Sequence, residues 1–126
     1  QSPVSSIPSY IATSYFFVIL SPPVEHQEGH TLSPDSWAER GWCRLENMAC
    51  RFGREDGFMI LVQVAGNPTL AQDIGAVALA PGRGLFSVDE DREQFRPVLQ
   101  QMLWSKLHSL LFKGDFHNYR FLLGDA

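Results

Sequence analysis

Two runs of apolar residues stand out along the chain: Tyr15-Phe16-Phe17-Val18-Ile19-Leu20, and Phe58-Met59-Ile60-Leu61-Val62-Gln63-Val64, which is broken only by Gln63. Neither shows strict apolar–polar alternation. Both are rich in aromatic and branched types, the pattern of a strand buried on both faces. Ser21-Pro22-Pro23 ends the first, because proline cannot donate to a ladder. Ala65-Gly66-Asn67-Pro68 terminates the second.

Between and around these runs the apolar period changes to that of a helix. Residues 5–14 place Ile7, Tyr10 and Ile11 at i, i+3 and i+4, with Pro8 suited to a first turn. Residues 24–35 read as a polar loop. Pro34 then sits just inside a helix start, with Ser33 or Asp35 as the cap. Over residues 36–52, Trp42, Leu45, Ala49 and Phe52 fall on one stripe. Gly41 weakens the middle of this helix, so the helix proper is expected from Gly41, with Gly53 as its end signal.

Residues 69–87 are less regular. Residues 74–79 suit a weaker third strand or a short helix, and Pro81-Gly82-Arg83-Gly84 suits a turn. The acidic run at residues 89–93 suits a helix N-terminus, where the macrodipole favours negative charge. Phe95, Val98, Leu99, Met102, Leu103, Leu107, Leu110 and Leu111 then make one apolar face, read as core-facing. Pro97 needs a place near the start of this helix or a kink. Lys113-Gly114 closes it, and Asp115 can cap a last short helix with Phe116, Tyr119, Leu122 and Leu123 apolar.

Strands alternating with helices predict an α/β fold with a parallel sheet and a C-terminal helical extension. The two strong strands are expected to be adjacent and parallel, with residues 42–52 as a right-handed crossover helix. The organisation expected is an incomplete α/β segment over residues 1–66. Residues 67–126 form a mixed linker and C-terminal helices that pack on it. Two strands are few for an independent sheet, and the first residue is Gln1 rather than Met. The expectation is therefore a fragment of a longer polypeptide.

Composition narrows the function. The 126 residues are 44% hydrophobic and 19% charged, enough to bury a core and unlike a disordered tail. A net charge of -4 argues against a nucleic-acid binder or a polybasic membrane-surface module. The longest uninterrupted apolar run falls far short of the ~20 residues that span a bilayer, and residues 1–8 carry no basic secretory n-region. Cys43 and Cys50 lie seven positions apart in one predicted helix. Two turns are about 10.5 Å, too far for a disulfide, so a reducing, cytoplasmic setting is expected.

The run Ser14-Tyr15-Phe16-Phe17-Val18-Ile19-Leu20-Ser21, followed by a loop and by Trp42-Cys43-Arg44-Leu45-Glu46, resembles the middle of a Toll/interleukin-1 receptor (TIR) domain. There a hydrophobic strand ends in Ser and the next helix carries Trp-Cys-x-x-Glu. This general match covers about residues 5–66. More narrowly, SIPSYI, FFVILSPPVEH and SWAERGWCRLE resemble TIR-like segments of large microalgal proteins, dinoflagellates especially, often joined to ankyrin repeats. This narrower resemblance extends over most of the chain. It implies a partial flavodoxin-like, TIR-like sheet with flanking helices. It also implies an intracellular signalling module that self-associates or recruits other TIR-like domains. Its departures are the absence of the family's first two strands and a longer loop after Leu20. The alternative that the resemblance carries is an NAD nucleosidase cleaving the nicotinamide–ribose bond. Glu46 would be its essential carboxylate, with Ser21 and Trp42 against the ligand. NAD enters as a substrate, and no cofactor is implied. The segment alone is expected to be inactive, because the upstream strands that complete the ligand site are not in it.

Each candidate also has a plainer explanation. A carboxylate beside a ribose can stabilise an oxocarbenium-like transition state, whereas an exposed helical Glu46 pairs with a neighbouring arginine. Trp42 and Cys43 are residue types that commonly pack, and no strong cation is set to activate Cys43 as a nucleophile. His26 and His30 have a spacing that holds zinc well on a helix. Gly29 and the nearby prolines make this a loop, so no metal site is assigned, a weak adventitious one being the alternative. Pro81-Gly82-Arg83-Gly84 lacks the Lys-Ser/Thr of a phosphate-binding loop.

Overall fold

The computed structural model describes residues 3–54, 58–71 and 81–124. The third element expected at residues 74–79 lies outside them. The fold is mixed α/β. Its elements run α1 (Pro3–Thr13), β1 (Val18–Leu20), β2 (Val24–Glu25), β3 (Thr31–Leu32), α2 (Pro34–Glu39), α3 (Gly41–Gly53), β4 (Met59–Val62) and β5 (Pro68–Ala71). A single 3-10 turn at Pro81–Arg83 precedes α4 (Asp91–Lys113) and α5 (Phe116–Leu123).

The parallel pair expected from the two apolar runs is present. β1 pairs with β4 in the register Val18↔Ile60, Ile19↔Leu61, Leu20↔Val62, and α3 lies between them in sequence. The sheet is nonetheless mixed, not wholly parallel. The chain turns at Gly66, whose φ is 77°, and returns as β5 antiparallel to β4, giving the order β1-β4-β5. A tight turn makes the antiparallel neighbour the near one, whereas a parallel return needs a long crossover.

The first strand is not buried on both faces. Ile19 is 3% exposed while Leu20 is 73% and Tyr15 90% exposed. The core occupies one side of the sheet: Phe17, Ile19, Met59 and Leu61 meet Ile11 of α1, Leu45 and Ala49 of α3, and Phe95, Val98 and Met102 of α4. Period-two geometry then turns Val18 and Leu20 outward. Residues from the two halves of the chain share this core.

Proline and glycine positions refine the helix boundaries. α1 begins at Pro3, so Pro8 lies inside the helix rather than in its first turn. There it forgoes one backbone bond. Ser33 is the cap of α2, its hydroxyl accepting from Ser36 N–H while Ser36 Oγ accepts from Ser33 N–H. At Arg40 the backbone is extended and separates α2 from α3. Gly41 N–H donates to Leu85 O at 2.8 Å and Leu85 N–H donates to Glu39 O at 2.8 Å. A side chain on Gly41 would strike the Phe86 ring, and one on Gly84 would strike the Gly41 backbone. Gly41 is thus a close-approach glycine at the true start of α3.

The long helix follows its predicted stripe. Phe95, Val98, Met102, Leu107 and Leu110 are buried, whereas Leu103 and Leu111 are exposed. Pro97 sits within the helix. Gly114, with φ of 71°, ends it, and Asp115 caps α5 by accepting from Asn118 N–H.

Candidate functional site

The site implied for Glu46, Ser21 and Trp42 depends on where α3 starts. Arg54, which follows α3, donates to the carbonyls of Ser14 at 2.8 Å and Tyr15 at 2.9 Å, just ahead of β1. The last turn of α3 is therefore held at the N-terminal edge of the parallel strands. Its 13 residues extend about 20 Å. Its first turns, which carry Trp42, Cys43 and Glu46, thus reach toward the C-terminal strand edge. Open α/β sheets bind ligands at that edge.

Ser21 follows β1 at this same edge. It is buried, and its N–H donates to Val62 O at 3.0 Å, prolonging the parallel ladder by one bond. Glu46 is half-buried on α3. Burial pushes its carboxyl above the ordinary carboxylate range, and the Arg40 guanidinium opposes that shift. Cys43 is buried one turn away, and its thiol is pushed up to about 11, first by burial and then by the negative charge of Glu46. At neutral pH it is a packed thiol, not a thiolate nucleophile.

Trp42 is engaged with α4. Its indole Nε1–H donates to Asp91 Oδ2 at 3.2 Å, and its ring meets Phe95 edge-on at 4.7 Å between centroids. It is half-buried, with its one polar atom already satisfied.

A concavity lies elsewhere on α3. A cleft of about 1050 Å³ runs between α3, α4 and α5, with Arg44, Arg51, Lys106 and Lys113 among its walls and Phe52 at its side. None of Glu46, Ser21 or Trp42 lines it. Its sequence signal is the seven-residue spacing of Arg44 and Arg51 on α3 and of Lys106 and Lys113 on α4, which puts each pair on one helix face two turns apart.

The segment read as a polar loop contains a β-hairpin. Val24 faces Leu32 and Glu25 faces Thr31. The turn closes with His26 N–H donating to His30 O at 2.8 Å and Gly29 N–H donating to His26 O at 2.9 Å. Gly29 takes φ of 83°, as a three-residue hairpin loop requires. The two imidazoles stack at 4.5 Å with an interplanar angle of 24°. Glu28 Oε2 lies 3.9 Å from His26 Nδ1. The sequence reading of a plain polar loop, with a weak metal site as its alternative, did not include the β-hairpin that brings these side chains together.

Among the described residues no helix is long and apolar enough to cross a membrane. No family model matches the chain, and no curated protein or solved structure is significantly similar to it.

Proposed function

We propose that this chain is part of a TIR-like, cytoplasmic interaction module that acts by self-association or by recruiting a similar domain. The observation that carries the reading is the open edge of β1. Among the described residues β1 pairs only with β4. Its outward Val18 and Leu20 are exposed, as are Tyr15 and Phe16 just before it. An uncovered apolar edge strand is a template for a further strand, from the upstream sequence that the resemblance implies or from another chain. The parallel strand–helix–strand unit behind it agrees with the TIR resemblance. The test is light scattering across a concentration series, comparing the chain with a Val18→Lys, Leu20→Lys variant. Concentration-dependent assembly lost in the variant supports the proposal. A monomer at every concentration, or assembly that the lysines leave unchanged, sinks it.

Glu46 favours a second reading, NAD nucleosidase activity. A half-buried carboxylate with a raised pKa, toward the C-terminal strand edge, suits chemistry at a ribose. In that reading Ser21 and Trp42 flank the ligand. The experiment is chromatography of NAD incubated with the full-length protein and with its Glu46→Gln variant. Nicotinamide release lost in the variant supports the enzyme. No release, or equal release from both, removes it.

A further inference from the structure

We propose that the tip of the β2–β3 hairpin is a divalent-metal site, with His26, Glu28 and His30 as three ligands to Zn²⁺ and water as the fourth. His26 and His30 bracket the turn and present stacked rings 4.5 Å apart. One ligand atom from each of the three side chains falls within 4.8 Å of the others. Two atoms bound tetrahedrally to zinc at about 2.0–2.1 Å are about 3.3 Å apart. His26 Nδ1 and Glu28 Oε2, at 3.9 Å, already approach that separation. Closing the set takes rotations of exposed side chains. The contacts those rotations disturb are the His26–His30 stack and the Glu28 N–H to His26 Nδ1 bond of 3.3 Å.

The backbone supplies the preorganisation. The two hydrogen bonds of the turn and the left-handed Gly29 hold the histidines on one side of a short ladder. Ser33, the cap of α2, follows β3 directly, which ties the hairpin to a helix. Two imidazoles and a carboxylate form a borderline-soft N₂O set that suits zinc and leaves a coordination position open to water. None of the three ligands is a residue on which either functional reading rests, so the site holds or fails independently of both.

The test is calorimetric titration of the 126-residue chain with ZnCl₂ alone, in a non-chelating buffer at neutral pH. One equivalent should bind. His26→Gln and His30→Gln should each weaken binding by more than about tenfold, and Glu28→Gln by less. His108→Gln and His117→Gln should leave it unchanged. Imidazole nitrogen NMR should show zinc moving the His26 and His30 signals while those of His108 and His117 stay in place. All three proposed ligands are exposed, so far-UV circular dichroism should be the same for every variant. No binding with zinc in large excess, or unchanged affinity in the His26→Gln, His30→Gln double variant, overturns the site.

Discussion

The indole N–H of Trp42 donates to the Asp91 carboxylate at 3.2 Å and joins the first turn of α3 to the first turn of α4. The two residues are 49 positions apart in sequence. Asp91 therefore does more than complement its own helix dipole: it positions the ring that packs on Phe95.

Replacing Trp42 with Ala removes that bond and the edge contact with Phe95. The expected loss is about 2–4 kcal/mol, shifted below the ~3–5 kcal/mol of fully buried aromatic truncations because the ring is half-buried. Trp42→Phe retains an aromatic ring against Phe95 and should cost about 1 kcal/mol. Urea unfolding of a Trp42→Phe, Asp91→Ala cycle measures the coupling. Strict additivity would mean that the hydrogen bond does not form in solution.

Gly41→Ala should destabilise the fold by about 1–3 kcal/mol, because the new methyl group meets the Phe86 ring. Phe86→Leu should recover part of that loss in the double variant. The same unfolding assay reads both. A neutral Gly41→Ala would show that the 84–86 strap does not lie on the α2–α3 junction.

Glu46 makes a signed prediction. Its folded pKa is raised, so the folded state holds this proton more tightly than the unfolded one. The corresponding stability is fully present below the ordinary carboxylate pKa. It is lost as pH rises through the folded value. Glu46→Gln removes the buried charge and should raise the melting temperature at pH 7, with the advantage shrinking in acid. A variant that melts lower at pH 7 would instead show that the carboxylate is held by a strong ion pair.

Cys43 titrates on the alkaline side. Its thiol is raised from 9.0 to about 11, so its protonated form is favoured in the fold. That contribution is intact below pH 9.0 and falls away as pH approaches about 11. Iodoacetamide at pH 8 should label Cys43 slowly in the folded chain and rapidly in urea, with mass mapping to separate it from Cys50. Labelling at the rate of an exposed thiol would place this face of α3 in solvent.

Local pattern identified the helices well, because their signals are short-range. Ser33 caps α2, and Gly114 and Asp115 punctuate the last two helices at the expected positions. The stripe from Phe95 to Leu110 is the core face of α4. Strand burial was misread for a physical reason. A continuous apolar run signals two covered faces only when helices lie on both sides, and among the described residues helices cover one. Gly41 was read as a propensity defect because the Phe86 ring that demands it comes 45 residues later in the sequence. The hairpin was hidden by its polarity, since its two-residue strands bury nothing.

By itself the sequence determined the strand–helix–strand order, the Ser33 cap, the Gly114–Asp115 junction and the residues able to fill a core, all set by period, capping and proline or glycine chemistry within a few positions. Tertiary structure alone decided which strand faces were covered, that β5 returns antiparallel, that Trp42 is spent on Asp91, and that His26, Glu28 and His30 converge. Those outcomes depend on contacts between surfaces that must first fold, and on a turn geometry at Gly29 that brings cross-strand neighbours together irrespective of hydrophobic pattern.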